Sequence, residues 1–329
     1  MLPYIYFHDP YLSPRNVREA KNYALSRESG VKAANYFMKN YPELFYRDQA
    51  EPKVEALSYP DVFNSDMEFS LDDIRSSIEK RNVSNTICAY QKLNEQQADI
   101  PAELRLQVFE LTCFFNSKDP FEYVEELPFS RKITANLANF SKLWDETGFA
   151  EQMWTTHYRQ ANDVRANTVY LQALVKYGAF EKAYRIHQEL EGKKQKVNLE
   201  AYNALLRALP FVGLLNHSCA NVCKILELIN SNGYGPTIET INSALFSLSQ
   251  VNGEQHEVVR LADQLFLDCK QLGLPANLGS YYYMLNLYYR DQQQDGSILC
   301  RIIDKIENTP IRLSSKEDCE CISRFSGLF

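Results

Sequence analysis

The chain has 329 residues, 45% hydrophobic and 23% charged, a composition that fits ordinary globular domains or one extended repeat array. With only 12 glycines and 13 prolines, glycine-rich phosphate loops and long β-meanders are disfavoured. The formal net charge of -7 argues against holding nucleic acid by bulk electrostatics over the whole surface, and leaves room only for a local basic face.

Residues 1–65 carry one helical pattern, Val17–Tyr41, between proline-rich aromatic segments, and are expected to form an N-terminal arm. The opening MLPYIYFHDPYLSP is neither an Arg-rich presequence nor a secretory signal, so the chain is read as cytosolic or as starting after its targeting segment. Residues 43–79 hold ten Asp/Glu against three Lys/Arg. Residues 66–160 read as degenerate helical repeats with an acidic insertion. Leu71–Lys80 and Asn85–Leu93 form one pair, Glu103–Phe115 is another first helix, and Phe140–His157 is its expected partner.

From residue 161 to 312 the pattern becomes regular. Asn167–Asn198 reads as helix, a tight turn at Tyr177-Gly178-Ala179, helix, then a polar link. Phe180, Ala183, Ile186 and Leu190 make one apolar face of its second helix. The next unit places Leu199, Tyr202, Leu205, Leu206 and Leu209 on one face, followed by Val222, Ile225, Leu226 and Ile229, with a stop at Gly233 and Pro236. A third unit opens IETINSALFSLS and closes at Gly273 and Pro275; a fourth opens LGSYYYMLNLYY and continues SILCRIIDKIENTP. Equivalent positions Asn167, Tyr202, Ile241 and Tyr281 stand 35, 39 and 40 residues apart. A helix-turn-helix unit of that length cannot bury its apolar face alone, so the fold class is all-α, an α-solenoid of stacked pairs. Antiparallel pairs in a right-handed superhelix with no sheet are expected over 167–307, and 313–329 reads as a truncated tail.

No chemistry-bearing constellation emerges. The chain has no G-x-x-x-x-G-K-[ST], G-x-S-x-G or H-E-x-x-H motif. Its five histidines are dispersed, and His187 reads as a structural residue beside an apolar helix face. The eight cysteines suggest no disulfide framework; Cys219 and Cys223, near His217, read as small buried hydrophobes in preference to a partial metal site. The expectation is no enzyme activity, no cofactor, no metal and no small-molecule substrate. No membrane span is expected either, since the longest clean apolar run is Leu209–Leu215.

Tyr202-Asn203, Ile241-Asn242, Gly233–Pro236 and the segment PTIETINSALFSL resemble the pentatricopeptide repeat family more than the tetratricopeptide one. The N-terminal stretch is more specific. Asp9-Pro10-Tyr11-Leu12, Ser29-Gly30, Tyr41-Pro42, Phe45 and Ala50-Glu51-Pro52 resemble the region before the repeats in the pentatricopeptide proteins of the mitochondrial small ribosomal subunit. The resemblance runs roughly from Tyr4 to Glu307. It implies an RNA-binding scaffold in the mitochondrial matrix that supports translation. Its partners would be small-subunit rRNA, mRNA and neighbouring mitoribosomal proteins. Relative to that family the chain reads as a piece without presequence or C-terminal half. The alternative reading is a protein–protein adaptor that reads no RNA, which the acidic charge favours.

The resemblance also implies base-reading pairs: Thr168 with Asn198, Asn203 with Thr237, and Asn242 with Asn277. By the same resemblance, Thr/Asn favours a purine and Asn/Asn a pyrimidine; the fourth repeat has Tyr282 at the first position. Asn and Thr at helix starts are also ordinary caps. Residues 159–207 carry nine Lys/Arg against five Asp/Glu, and Lys193, Lys194 and Lys196 form a basic link suited to phosphate or simply to water.

Overall fold

The structure is a computed structural model that describes residues 16–41, 44, 63, 67–118, 143–212, 219–251, 255–290 and 318. Among these residues every regular element is helical. The chain divides into two compact units, Met1–Thr156 and His157–Phe329.

In the first unit, α1 (Val17–Asn40) begins at Asn16, whose side chain accepts from the Glu19 N–H. Most of its surface is exposed, with Ala20 and Met38 the buried apolar residues. Helix α2 (Leu71–Glu79) opens with a reciprocal capping box between Ser70 and Asp73, and α3 (Val83–Glu95) with an Asn82 cap. Both pack against α4 (Ala102–Phe114). The expected partner of α4, Phe140–His157, starts late: residues 143–148 are not helical, and α5 begins at Phe149 and runs to Met153. The cause is a turn in which Asp145 Oδ1 accepts from the Thr147 backbone N–H and hydroxyl, followed by Gly148. Asn116 clamps this turn, donating to the Leu143 carbonyl at 2.8 Å and accepting from the Asp145 N–H at 3.0 Å. A π-helical turn, Trp154–Tyr158, follows α5, and Trp154, 2% exposed, stacks on Phe109.

The second unit contains the regular pairs. Helix α6 (Val164–Lys176) is capped by Asp163, so it starts one turn before the expected Asn167. It turns at Gly178 into α7 (Phe180–Gly192). The next first helix is α8 (Leu199–Ala208), extended by a 3₁₀ turn at Leu209–Phe211, and its partner is α9 (Cys219–Ser231). Then come α10 (Ile238–Ser249) with α11 (Gln255–Gln271), and α12 (Leu278–Arg290). The expected second helix of the fourth pair lies outside the described residues.

First helices α6, α8, α10 and α12 pack side by side in succession, and each second helix packs on its own first helix and on the next one. The sequence builds this by placing small residues where helices meet. Ala166, Ala201 and Ala244 are fully buried on successive first helices, and α10 buries nine of its twelve residues, Ser243, Ala244 and Ser247 among them. Aromatic rings continue across pairs. Phe180 stacks on Phe211 at 4.8 Å, Phe211 reaches Phe246 at 6.4 Å, and Phe246 meets Tyr283 at 5.9 Å. Phe180 is thus half-buried in a ring contact rather than submerged in the face of α7.

Second helices stop in one way. After α7, α9 and α11 the residues Lys194, Gly233 and Gly273 adopt φ of 55°, 77° and 69°. The next N–H then returns to a carbonyl inside the helix: Gln195 to Leu190, Tyr234 to Ile229, Leu274 to Cys269. In that register Ala183, Val222 and Ala262 are equivalent, and all three are fully buried. Ala183→Leu should overpack the contact and lower the unfolding free energy by about 1–3 kcal/mol in a urea titration; an unchanged midpoint would contradict the register.

Candidate nucleic-acid interface

Each expected pair joins the fifth helical residue of one first helix to the residue before the next first helix. The structure brings these residues to the boundaries between pairs and buries the first member of each. Thr168, Asn203 and Asn242 are 5%, 3% and 5% exposed. Thr168 donates to the Val164 carbonyl at 2.7 Å and accepts from the Asn198 backbone N–H at 2.9 Å. Its neighbour Asn167 donates to the Lys196 carbonyl. Asn242 Nδ2 donates to Asn277 Oδ1 at 3.0 Å, and Asn242 Oδ1 accepts from the Ser280 hydroxyl at 2.6 Å. Asn277 also caps α12 through the Ser280 N–H. These polar groups therefore tie one pair to the next.

Asn203 is the exception. Its Oδ1 is buried with no hydrogen-bond partner. The residues that would answer it, Thr237 and Thr240, form a reciprocal capping box with each other at the start of α10. Thr237 itself is exposed. Sequence reasoning misses the capping role of Thr240 and the locking role of Ser280, although the Thr237-x-x-Thr240 and Asn277-x-x-Ser280 spacing carries the signal of a capping box. Tyr282 is buried in an edge contact with Tyr283.

Lys193, Lys194 and Lys196 are exposed on the link between α7 and α8. The exposed first-helix residues Glu200 and Glu239 flank the Asn203 and Asn242 positions with negative charge. The link therefore gathers three exposed cations within four residues, while Arg165, Lys176 and Arg207 are dispersed along the first helices.

Beside the link lies a cleft of about 280 Å³ between the C-terminal ends of α7 and α9, with His187, Gln195, Lys194, Lys196, Tyr202 and Asn232 among its walls. His187 is 6% exposed, and its ring meets Tyr202 edge-on at 5.7 Å. Burial holds its imidazole below the ordinary value; Glu191 pulls the other way and Lys224 adds to the depression. The unfolded chain takes up this proton near pH 6.5, whereas the native chain resists it until lower pH. Unfolding free energy should therefore fall as the pH drops below about 6.5 toward the native value. His187→Leu should remove that component, which urea midpoints compared at about pH 7.5 and about pH 5.5 would reveal as a smaller acid-side loss.

Among the described residues no group of three His, Cys, Asp or Glu could hold a metal ion, and no helix is long and apolar enough to cross a membrane. Cys219 and Cys223 are free and half-buried, with thiols held above the ordinary value by burial; His217 lies outside the described residues.

Helix pairs stacked in one register, with these polar ties at the first and third boundaries, define a helical-repeat scaffold. Comparison with known proteins specifies which. The family described as "Small ribosomal subunit protein mS39, PPR" matches residues 2–179. The chain belongs to this family of pentatricopeptide proteins. Small ribosomal subunit protein mS39 of Drosophila melanogaster is 26% identical over 96% of the chain and 48% of its own length. The Xenopus laevis relative is 25% identical over 96% and 49%, and that of Mus musculus 23% over 87% and 43%. The chain thus spans about half the length of these relatives. Among solved structures, the pentatricopeptide repeat protein PPR10 in complex with an 18-nt psaJ RNA element aligns with 14% identity and a TM-score of 0.49, over 78% of the chain and 33% of PPR10. PPR10 from maize aligns with 15% identity and a TM-score of 0.47, over 94% and 39%. The family is one of ribosomal repeat proteins of the mitochondrion and not of enzymes.

Proposed function

We propose that the chain is an RNA-contacting scaffold of the mitochondrial small ribosomal subunit, which touches rRNA and mRNA, binds neighbouring mitoribosomal proteins and supports translation. The observation that carries the RNA contact is the exposed Lys193, Lys194 and Lys196 link on a chain that is acidic overall. Family membership supports the ribosomal setting.

Within this reading the pairs divide. Thr168 spends its hydroxyl on the backbone of Asn198, and Asn242 spends its amide on Asn277 and Ser280, so a base engages these two first-helix residues only by opening those bonds. Asn203 with Thr237 is the step that keeps an unused acceptor and an exposed hydroxyl, and base reading belongs there. Sedimentation of the tagged full-length protein from mitochondrial lysate tests the ribosomal reading. Co-migration with the small subunit that is lost after nuclease treatment supports an RNA-mediated place. Co-migration that survives nuclease favours the adaptor reading, to which Glu200 and Glu239 on the first helices lend support. A protein that stays at the top of the gradient contradicts both.

A further inference from the structure

The helix stops at Lys194, Gly233 and Gly273 place the three successive links in one register, so the chain serves as its own comparison. At the position of His187 the next pairs carry Leu226 and Phe266. At Gln195 they carry Tyr234 and Leu274, and at Lys196 they carry Gly235 and Pro275. The first pair alone sets a buried imidazole, an amide and a lysine where the repeat pattern asks for apolar or turn-forming residues.

These departures converge on one place, the cleft between α7 and α9. Its groups are left ready for a ligand. Gln195 Oε1 is buried with no hydrogen-bond partner, while Tyr234, at the equivalent position, uses its hydroxyl to donate to the Val197 carbonyl at 3.0 Å. The Tyr202 hydroxyl accepts from Asn232 Nδ2 at 3.1 Å and keeps its own hydrogen to donate. Lys194 and Lys196 stand at the mouth, and Leu190, Val197 and Leu228 supply an apolar floor. An unpaired buried acceptor costs stability, and three polar departures from a repeat pattern at one cleft point to a bound group that satisfies them.

We propose that this cleft receives one nucleotide splayed out of single-stranded RNA. The exocyclic amine of the base donates to Gln195 Oε1, a base acceptor takes the Tyr202 hydroxyl hydrogen, and the flanking phosphate lies against Lys194 and Lys196. A planar ring on an apolar floor with a few convergent polar groups, and phosphate held by Lys at the rim, is the chemistry by which unstacked bases are held. A cleft of about 280 Å³ has room for a base. Glu191 in the wall disfavours a second phosphate and limits the site to a single nucleotide. The inference rests on the RNA-binding reading above and assigns it a contact on the second-helix side, apart from the first-helix row.

The test uses the whole chain and a short single-stranded RNA of mixed sequence carrying thiouridine. Photocrosslinking should place a nucleotide on the peptide that contains His187, Gln195 or Tyr202. Gln195→Leu, which removes an acceptor without a protein partner, should leave the melting temperature unchanged or raised and weaken RNA binding about fivefold, the worth of one hydrogen bond. His187→Leu, which installs the residue of the next pair, should stabilise the chain and also weaken binding by narrowing the cleft. If RNA binds with its usual salt dependence, crosslinks lie elsewhere and Gln195→Leu binds as well as the unaltered chain, the pocket is overturned and the RNA reading stands. If the unaltered chain holds no RNA at all, both fall.

Discussion

Asn242→Ala should lower the unfolding free energy by about 1–2 kcal/mol, because it removes two hydrogen bonds across one boundary at once. Ser280, fully buried, loses the Asn242 oxygen at 2.6 Å and is left with Asn277 Oδ1 at 2.8 Å as its acceptor, while half-buried Asn277 loses the donor at 3.0 Å. The same substitution at the equivalent Asn203 should be near neutral, since its Oδ1 already lacks a partner. Urea unfolding of the two variants side by side measures the contrast. Equal losses would show that the boundary between α10 and α12 is not held by this triad.

Replacing Lys193, Lys194 and Lys196 together by Ala should cut RNA affinity by about 100-fold near 0.1 M salt. Three phosphate contacts to a single strand account for roughly two units of the slope of log K against log salt, so that slope should flatten by about two. The loss should be similar for every RNA sequence. All three side chains are exposed, so the fold itself should tolerate the change. The decisive measurement is fluorescence anisotropy of a labelled single-stranded RNA across a salt series. An unchanged slope would move phosphate contact to another face. A sequence-dependent loss would mean that the link reads bases, which lysines at a rim do poorly.

The regular pairs were legible because their stops are written in glycine. Gly178, Gly233 and Gly273 each sit at positive φ, and the apolar spacing between them places α7 to α11 within a few residues. The first unit uses the same return bonds without glycine. Arg81 and Gln97 take φ of 54°, and Asn82 and Ala98 then donate back to Ser77 and Leu93. A stop built from Arg or Gln carries no mark in composition, which is why that region reads as degenerate. Lys194 belongs to the same class: the basic link was visible as charge, but not as the turn that ends α7.

At the boundaries between pairs, spacing gave the positions of Thr168, Asn203 and Asn242 but not their use. Side-chain polarity does not say whether a group faces solvent or its neighbour. That depended on Ser280, which caps its own helix and also holds Asn242, and on Thr240, which pairs with Thr237 and leaves Asn203 unanswered. The cleft at His187 was invisible for a related reason. A single histidine on an apolar face looks structural until the residues equivalent to it in later pairs are aligned through a turn that itself lacks glycine.

Helix α10 has a consequence for how the second unit opens. With nine of twelve residues buried between neighbours on both sides, its amides can meet water only when the stack around it has come apart. Deuterium should therefore enter α10 last, at a rate set by global unfolding, while the outward-facing α9 and α11 exchange earlier by local fraying. For the same reason α10 should be the last of these helices to become open to a protease, after α9 and α11.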